Sequence, residues 1–461
     1  MDDAPLMLGV SGLRGIVGQS LTPTVATRYA AAFGQWAKQQ AETTGQPVRV
    51  VLGRDSRPSG QMLEAAVVSG LTAVGCEVIR VGIAATPSIA VMVEHLRADA
   101  GMIITASHNP IAWNGIKALR HDGSAPPADQ AEAIVAMYRE NRDQYGGAER
   151  LISTESDESA HQVHLERVLR HVNVAAIRRR RLKVVVDSVC GAGGPISAML
   201  MQELGAELVH LHAEPSGQFP HPPEPLKENL TILAEAVRTH GADVGFAQDP
   251  DADRLAIVDE TGRYIGEECT LVLAAWHALD QLTDTRDAII VTNLSTSRMI
   301  DDVVARVGGR VVRTPVGEAN VAEAVRRHKA VMGGEGNGGV IWPKVIHVRD
   351  SIGGAALIME MLAMREQPLS QIVDQIPKYA MIKRKVNVTP PSAKQLEDVL
   401  GRRFSSQTLD VQDGVRVDWP DRWVHVRASN TEPVLRIIAE AGDELTAVKL
   451  IEQVQAALNL R

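Results

Sequence analysis

The chain has 461 residues, of which 45% are hydrophobic and 23% charged, and its net charge is −8. This length exceeds what one hydrophobic core supports, so we expect roughly three or four domains of a globular protein. The charge gives no reason to expect nucleic acid or an anionic membrane as a partner. The three cysteines are scattered singly, which argues against a disulfide framework and against a cysteine metal site.

The sequence also gives no sign of a membrane segment. It contains no stretch of roughly 18 apolar residues, and MDDAPLML at the start lacks the basic head of a signal peptide. We therefore expect a cytoplasmic protein without a membrane partner, as a monomer or a homodimer.

Short runs of valine, isoleucine and leucine alternate with helical stretches through most of the chain. Continuous apolar strands between helices indicate parallel sheets that are covered on both faces. The predicted strands are 48–53, 76–81, 101–106, 182–187, 206–211, 242–246, 288–292, 309–313 and 330–333. This alternation predicts an α/β fold.

The same unit recurs three times along the chain. A helix that closes on glycine just before a strand is found in AVGCEVIRVG (73–82), ELGAELVHLH (203–212) and RVGGRVVRTP (306–315). Before each unit a strand ends on a polar loop, and after each unit a strand runs into an unusual motif. We therefore predict three similar mixed α/β domains, at about 1–160, 161–270 and 271–376.

The pattern changes after residue 377. Three stretches read as antiparallel strands, and DELTAVKLIEQVQAALN follows them as a helix, so 377–461 is predicted to be a smaller α+β domain. Ligands bind beyond the carboxyl ends of strands in open parallel sheets. The unusual motifs of the first three domains occupy that position, which predicts one central cleft.

TASHNP (105–110) ends a buried strand with hydroxyl, imidazole and amide side chains. One interpretation is structural: Ser107 and Asn109 cap a helix, and Pro110 opens its first turn. The other interpretation is a functional hydroxyl at the carboxyl end of the strand. The motif alone leaves both open.

DPDADR (249–254) has aspartates at alternate positions. In an extended segment alternate side chains point to one side, so Asp249, Asp251 and Asp253 converge and their repulsion favours a hard divalent cation such as Mg²⁺. Three protein ligands leave room for a phosphate oxygen. The alternatives are a solvated acidic turn and an EF-hand loop, but Arg254 replaces the glycine that an EF-hand requires.

GGEGNGG (333–339) is not a Walker loop, because no Gly-Lys-Ser/Thr follows. Glu335 and Asn337 suit a vicinal diol of a sugar, as an acceptor and a mixed donor and acceptor. A flexible turn is the alternative.

RASNTEP (427–433) lies between two predicted strands. Arg427 can fork onto a phosphate, and Ser429, Asn430 and Thr431 can add donors. A polar hairpin loop is the alternative.

These four motifs, in this order, resemble those of the α-D-phosphohexomutases, and VSGLRGIVG (10–18) is similar to the first motif of that family. The resemblance covers nearly the whole chain. It implies three mixed α/β domains and a different C-terminal domain around a central cleft. It also implies an isomerase that moves phosphate between the 1- and 6-oxygens of sugar phosphates, using a phosphoserine, Mg²⁺ and a hexose 1,6-bisphosphate as activator.

The resemblance assigns roles to single residues. Ser107 is the phosphoserine, and its phosphate completes the coordination of Mg²⁺ by Asp249, Asp251 and Asp253. The other catalytic residues that it implies are Arg14, His108, Lys117 and Arg254, with Lys117 a general acid/base if its pKa is lowered. The implied substrate-binding residues are Thr314, Gly317, Glu335, Asn337, Arg427, Ser429, Asn430, Thr431 and Arg436.

One position departs from the common family pattern. Many members have histidine where this chain has Gly339, so the role of that imidazole is not assigned; His347 in IHVRD is a candidate replacement, although a lone histidine is more often structural. The form with Asn337 and Gly339 resembles archaeal-type phosphoglucosamine and phosphomannose mutases. We therefore predict a phosphoglucosamine mutase, with phosphomannomutase or phosphoglucomutase as the alternative.

Two functions of other classes remain as more distant alternatives. A Mg²⁺-dependent sugar phosphatase using Ser107 would release inorganic phosphate, but the separate phosphate loop at 427–433 argues against it. A non-catalytic protein that binds sugar phosphate or Ca²⁺ would keep Glu335 and Arg427, but would not need a serine beside the metal loop.

Overall fold

The computed structural model describes residues 6–10, 12–41, 46–141, 145–147, 152, 154–388, 390–428 and 434–460. None of the helices in this part of the chain combines the length and the apolar character that a membrane crossing requires.

The first α/β domain is built on a mixed sheet. Its elements are β1 (Met7–Gly9), β2 (Gly12–Ile16), α1 (Pro23–Gln40), β3 (Val48–Arg54), α2 (Gly60–Ala73), β4 (Cys76–Ile83), α3 (Thr86–His95), β5 (Ala100–Ile104), β6 (Trp113–Arg120), α4 (Ala128–Glu140) and β7 (Thr154–Ser156). The strand order is β1-β2-β6-β5-β3-β4-β7. β3 is parallel to β4 and β5, whereas β6 is antiparallel to β5.

The second α/β domain repeats the central part of this sheet. Its elements are α5 (Ala160–Leu169), α6 (Val174–Arg180), β8 (Lys183–Asp187), α7 (Gly194–Glu203), β9 (Glu207–Leu211), a 3₁₀ turn (Lys227–Asn229), α8 (Thr231–His240), β10 (Val244–Gln248) and β11 (Leu255–Asp259). The strand order is β11-β10-β8-β9. β8 is parallel to β9 and β10, and β11 is antiparallel to β10.

The third α/β domain has the same plan. Its elements are α9 (Glu267–Asp280), β12 (Ile289–Asn293), α10 (Met299–Ala305), β13 (Arg310–Thr314), α11 (Glu318–His328), β14 (Met332–Glu335), β15 (Gly339–Ile341), α12 (Ser351–Arg365) and α13 (Leu369–Val373). The strand order is β13-β12-β14-β15. β12 is parallel to β13 and β14, and β15 is antiparallel to β14.

The three domains therefore share one chain path, which confirms the predicted similarity. Gly75, Gly205 and Gly308 close the equivalent helices α2, α7 and α10 with φ of 79°, 67° and 73°. This left-handed conformation favours glycine, and it turns the chain into the next strand. The nine strands that are predicted to be parallel are parallel, and each sheet contains a further strand after them, β6, β11 or β15. That strand returns antiparallel because a short turn precedes it, and a short turn cannot make a parallel crossover.

The C-terminal domain is an antiparallel sheet with helices, as predicted. Its elements are β16 (Ala380–Val386), α14 (Ala393–Arg403), β17 (Thr408–Asp410), β18 (Val415–Asp418), β19 (Trp423–Ala428), β20 (Leu435–Ala441) and α15 (Glu444–Ala457). The strand order is β16-β20-β19-β18-β17, and neighbouring strands are antiparallel.

The apolar cores separate the C-terminal domain from the rest. One core runs through all three α/β domains and includes Ile89, Val184 and Ile352. The C-terminal domain has its own core, which includes Val415 and Leu450. The first three domains are thus joined by shared apolar packing, which fixes the relative positions of the turns that end β5, β10 and β14.

Candidate active site

The acidic loop, residues 249–254, joins β10 to β11. Asp249, Asp251 and Asp253 are fully buried, and one carboxylate oxygen of each lies within 4.8 Å of the others. The loop is not extended as predicted. The Ala252 N–H donates to the Asp249 carbonyl at 2.9 Å, and Ala252 has a φ of 53°. A tight turn, rather than strand alternation, brings the carboxylates together.

Ser107 lies in the equivalent turn of the first domain, between β5 and β6. Its hydroxyl donates to Asp249 Oδ2 at 2.8 Å. Its φ is 49°, a left-handed conformation that costs a non-glycine residue about 1–2 kcal/mol. The Ser107 N–H donates to Thr105 Oγ1 at 2.8 Å, which helps to hold this conformation. The structure therefore places the predicted phosphoserine hydroxyl directly beside the predicted metal loop.

The interpretation of TASHNP as a helix cap is wrong. The turn ends at β6, whose residues pair with β5 on one side and β2 on the other. Asn109 accepts a hydrogen bond from Arg14 Nη1 at 3.1 Å instead of capping a helix. Arg14 is on β2, so the antiparallel pairing of β2 with β6 brings this predicted catalytic residue to the turn.

A buried arginine that the sequence analysis missed holds the Ser107 turn. The Arg57 guanidinium donates to backbone carbonyls of the turn, those of Ser107 (2.6 Å), Asn109 (2.6 Å), Pro110 (2.8 Å) and Trp113 (3.0 Å). Its Nε donates to Asp55 Oδ2 at 3.1 Å. The planar set of five guanidinium donors suits such a cluster of acceptors. The available signal was the polar loop RDSRPSG after β3, at the same sheet edge.

Lys117, on β6, reaches across to the acidic loop. Its Nζ lies 2.7 Å from Asp251 Oδ2 and 3.1 Å from Asp253 Oδ2. Burial lowers the pKa of this ammonium, but the two carboxylates raise the pKa more, so the net shift is upward. The lowered pKa that a general acid/base role requires is therefore not what this structure shows. Lys117 instead offsets negative charge in the acidic loop.

The carboxylates of the loop have different electrostatic surroundings. Burial and the neighbouring Asp253 and Asp251 carboxylates raise the pKa of Asp249 well above its usual range. Burial also raises the pKa of Asp253, but Arg349 and Lys117 lower it more, so this pKa lies below its usual range. Cationic side chains of the protein thus stabilise the charged form of Asp253. The charged form of Asp249 is disfavoured, and a further cation would stabilise it.

The unpaired oxygens of the acidic loop fit a bound metal ion. Among the described residues, Asp251 Oδ1 and Asp253 Oδ1 are buried without a hydrogen-bond partner. A buried carboxylate oxygen without a partner is costly, and hard oxygen donors are the preferred ligands of Mg²⁺. The third carboxylate, Asp249, is close by and adjoins the Ser107 hydroxyl. The residues present therefore fit a Mg²⁺ ion.

Of two more predicted residues, His108 adjoins Ser107, and Arg254 shares a neighbouring carboxylate with His108. His108 Nδ1 lies 3.3 Å from Ser107 Oγ, and burial, together with Arg254 and Arg14, lowers the pKa of His108 to about 2. A neutral imidazole therefore faces the hydroxyl. Glu224, which the sequence analysis missed, lies 3.7 Å from His108 Nε2 and 3.6 Å from Arg254 Nη1. Nothing in the proline-rich segment around Glu224 marked it beforehand.

Arg349, a second missed arginine, connects the acidic loop with the sugar loop (residues 333–339). Its Nη2 donates to Asp253 Oδ2 at 2.6 Å, and its Nη1 donates to Glu335 Oε2 at 3.0 Å. The Arg349 N–H also donates to Glu318 at 2.8 Å. Because the guanidinium is buried, the pairs are shielded from solvent and fix the two loops relative to each other.

Arg349 also explains the glycine at position 339. A Cβ on Gly339 would lie 2.2 Å from Arg349 Cδ, so no side chain fits there while the arginine holds its place. The charged neighbours of His347 are Arg326, Glu94 and Asp122, none of which is a predicted site residue, so its part as a replacement for the missing histidine stays a prediction.

Glu335, in the sugar loop, is the acceptor of several hydrogen bonds. It accepts hydrogen bonds from Asn293 (2.9 Å), Gly317 (3.2 Å), Arg349 (3.0 Å) and Asn337 (3.5 Å). Asn337 Oδ1 accepts from the Gly339 N–H at 3.2 Å. Thr314 ends β13 and begins the TPVG turn (residues 314–317), which carries Gly317; its hydroxyl donates to the Pro315 carbonyl at 2.9 Å. A sugar hydroxyl would have to replace one of the protein donors to Glu335.

The far end of the site belongs to the C-terminal domain. Arg427, on β19, is buried, and its Nε donates to Asp413 Oδ2 at 2.9 Å. The same carboxylate oxygen accepts from the Val316 N–H in the TPVG turn at 3.0 Å. Arg436, on β20, lies directly opposite Arg427 in the sheet register. The predicted residues Ser429, Asn430 and Thr431 lie outside the described residues.

A continuous line of polar contacts therefore crosses the molecule. It runs from the acidic loop through Arg349 and Glu335 to the TPVG turn, and from there through Asp413 to Arg427. The turn that follows β10 and the end of β14, which occupy equivalent positions in the second and third α/β domains, supply Asp253 and Glu335. The arrangement places cationic groups at the two ends of one cleft, with a carboxylate and amides between them.

Comparison with known proteins gives matches along nearly the whole chain. The sequence matches the families described as phosphoglucomutase/phosphomannomutase alpha/beta/alpha domain I (5–145), domain II (162–262), domain III (267–379) and C-terminal domain (381–457). A phosphoglucomutase/phosphomannomutase from Thermococcus kodakarensis is 39% identical over 448 residues, with 97% of each chain covered. A probable phosphoglucosamine mutase from Methanopyrus kandleri is 38% identical over 455 residues, with 96% of each covered.

A solved structure gives the same result for the fold. The phosphoglucomutase/phosphomannomutase family protein from Burkholderia thailandensis superposes with a TM-score of 0.85, at 29% identity and with 98% of each chain covered. The chain belongs to the α-D-phosphohexomutase family, and it is an isomerase of the phosphotransferase type. The family and the fold class predicted from the motifs are confirmed.

Proposed function

We propose that this chain is a phosphoglucosamine mutase in which Ser107 carries the transferred phosphoryl group. The observation that supports this role best is the 2.8 Å hydrogen bond from the Ser107 hydroxyl to Asp249. It joins the turn of one domain to the acidic loop of another, where, within the described part of the chain, Asp251 Oδ1 and Asp253 Oδ1 are buried without a hydrogen-bond partner. A serine with only a structural role would not need this neighbour.

Asp249, Asp251 and Asp253 would hold Mg²⁺, which, when bound, neutralises charge on the phosphoryl group and lowers the barrier to its transfer. The nearby arginine side chains act without binding the metal. Arg57 fixes the backbone on either side of the serine. Arg14 and Arg254 add positive charge beside the turn, where the oxygens of a phosphoserine would lie.

The transfer uses the serine as both donor and acceptor. A hydroxyl oxygen of the sugar monophosphate attacks the phosphorus of phosphoserine, the bond from phosphorus to Ser107 Oγ breaks, and the proton of the sugar hydroxyl passes through a base to the departing Ser107 oxygen. The products are a hexose 1,6-bisphosphate and a free serine. After the sugar reverses in the cleft, the Ser107 oxygen attacks the other phosphate and releases the isomeric monophosphate. Bisphosphate from solution would recharge a free serine, which accounts for its role as activator.

The phosphate that does not react needs a separate site in both orientations of the sugar. Asp413 holds the Nε of Arg427, so the outer nitrogens of the guanidinium form the fork that matches a phosphate. The line of contacts from the acidic loop to Arg427 spans the sugar loop between the two phosphate sites.

Glucosamine phosphate is the proposed substrate because of the form of the sugar loop and the names of relatives such as that of M. kandleri. A negative charge on Glu335 would favour an ammonium at C2 of the sugar, but Arg349 pairs with that carboxylate at 3.0 Å and weakens this argument for glucosamine. Phosphomannomutase or phosphoglucomutase activity is the alternative. A cytoplasmic location stays a prediction.

The decisive experiment assays glucosamine, mannose and glucose 1-phosphates with Mg²⁺ and the matching 1,6-bisphosphate. We expect 6-phosphate products from all of them, the highest kcat/KM for glucosamine 1-phosphate, and phosphate on Ser107 in peptide mapping. A tenfold advantage for mannose or glucose would overturn the substrate but not the mutase. Release of inorganic phosphate without isomer would instead indicate the phosphatase.

A further inference from the structure

A second cluster of metal-ligating side chains lies in the second α/β domain, outside the site described above. Asp187 is the last residue of β8, and His212 directly follows β9. His221 belongs to the segment that leads to Glu224. His212 Nδ1 lies 2.9 Å from Asp187 Oδ1, and His221 Nε2 lies 3.1 Å from Asp187 Oδ2. One ligand atom of each residue lies within 4.8 Å of the others.

The hydrogen bonds of His221 define which ring nitrogen carries hydrogen. His221 Nδ1 lies 2.9 Å from the carbonyl oxygen of Pro222, which can only accept, so Nδ1 is the donor. In a neutral ring, Nε2 then presents a lone pair to the Asp187 carboxylate. Two acceptors at 3.1 Å are unfavourable unless a proton or a cation lies between them.

We propose that Asp187, His212 and His221 form a binding site for a borderline divalent cation of the Zn²⁺ class, separate from the acidic loop. Two imidazoles and one carboxylate, with a water as the fourth ligand, are a donor set that such ions favour and that Mg²⁺ does not. Each imidazole nitrogen lies close to a different oxygen of the Asp187 carboxylate, at 2.9 and 3.1 Å, and one ligand atom of each residue lies within 4.8 Å of the others. Small side-chain shifts would bring these three atoms to the edge of about 3.3 Å that a tetrahedron with bonds of about 2.0–2.1 Å has.

The surroundings support a cation site as well. The Pro222 carbonyl fixes the tautomer of His221, as the outer hydrogen bonds of metal-bound histidines do. Asp187 is buried, whereas both histidines are partly exposed, so an ion and a water can enter from solvent. This proposal does not depend on the proposed substrate or on the role of Ser107.

A cation at this site would restrict the movement of the segment from His221 to Glu224, which lies beside the active site. The Cys190 N–H donates to the His212 carbonyl at 2.9 Å, and the Ala192 N–H donates to the Pro250 carbonyl of the acidic loop at 2.8 Å. His221 precedes Glu224, which approaches Arg254 to 3.6 Å. Bound metal would therefore cross-link both strand ends and this segment, and would raise the thermal stability of the protein.

The test uses the full-length protein, treated with chelator and then held in excess Mg²⁺ so that the acidic loop is not available. Co²⁺, a coloured substitute for Zn²⁺, is titrated in, and Zn²⁺ is then added to displace it. We expect one equivalent of Co²⁺ with the intense visible absorption of a tetrahedral site. His221→Gln and His212→Gln should each weaken binding at least tenfold.

His210→Gln is the matched control, because His210 lies on β9, two residues before His212, but pairs with Ser188 Oγ at 2.9 Å. It should keep the absorption and the rise in melting temperature on addition of Zn²⁺, which the cluster variants should lose. Two variants are used so that a failure of one to fold, seen by circular dichroism, leaves the other. Absence of the absorption, or its persistence in a folded cluster variant, would overturn the proposal and leave a protonated His–Asp network.

Discussion

The two ends of the cleft are held in different ways. The acidic loop lies between domains that share one apolar core, and Thr86 of the first domain donates to Asp251 Oδ2 at 2.7 Å. Arg427 belongs to a domain with its own core. Polar contacts join that domain to the third one, among them Val316 to Asp413 (3.0 Å), Ser295 to His425 (2.9 Å) and Arg298 to Glu440 (2.9 Å).

This difference has an energetic meaning. Shared apolar packing fixes the relative positions of the first three domains, whereas each polar contact exchanges with water for a net contribution of only about 0.5–1.5 kcal/mol. We therefore expect the end with Ser107 and the acidic loop to be preorganised. Substitutions there should lower turnover, and substitutions at the Arg427 end should mainly weaken binding.

The largest expected effect is that of Ser107→Ala, which removes the carrier. We expect kcat to fall at least a thousandfold, which corresponds to about 4 kcal/mol in the barrier, without loss of the fold. Ser124→Ala, at a buried serine that bonds Asp122 outside the site, is the control and should keep its rate. A Ser107→Ala protein with a tenth of the wild-type rate would show that Ser107 is not the carrier.

Asp251→Asn should weaken metal binding and turnover together. We expect roughly a hundredfold lower rate at limiting Mg²⁺, partly recovered at high Mg²⁺, because one anionic ligand is lost. Asp122→Asn replaces a carboxylate outside the site and should leave the Mg²⁺ dependence unchanged. Full activity of Asp251→Asn in the presence of a chelator would rule out the proposed metal role of the loop.

Arg427→Ala tests the other end of the cleft. KM for the sugar phosphate should rise more than kcat falls, with a total loss of about 2–3 kcal/mol in kcat/KM, the scale of a charge-assisted hydrogen bond. Arg422→Ala, on the same hairpin, is the control. An unchanged KM would mean that Arg427 has only a structural role.

Glu268→Gln should give the smallest effect, and on stability rather than rate. Glu268 is buried near the boundary with the C-terminal domain, and burial raises its pKa from 4.5 to about 8. A carboxyl group with a raised pKa in the folded state stabilises the fold below about pH 4.5, and this contribution is lost as the pH rises towards 8.

The glutamine variant removes this loss, so its melting temperature should exceed that of the wild type by a few degrees at pH 8 and by less at pH 5.5. Glu267→Gln, at the neighbouring and less buried glutamate, is the comparison variant. A difference from wild type that is equal at both pH values would contradict the prediction.

The sequence by itself determined the plan of this protein. Glycine is required where a helix closes in the left-handed conformation, so Gly75, Gly205 and Gly308 made the repeated unit visible. The motifs that end β5, β10 and β14 could be located because ligands bind at the carboxyl ends of strands. Unusual side chains that interrupt apolar strands marked the Ser107 turn and the acidic loop as candidates, but the role predicted for Ser107 came from the resemblance to the family.

The tertiary structure decided how these pieces are held. The aspartates converge through a tight turn at Ala252, which alternation in the sequence did not reveal. Arg57 and Arg349 look like ordinary arginines in the sequence, because their partners are carbonyls and carboxylates that only folding brings near. The glycine at 339 likewise has its reason in the buried side chain of Arg349. Long side chains reach partners far away in the chain, and no local pattern encodes that reach.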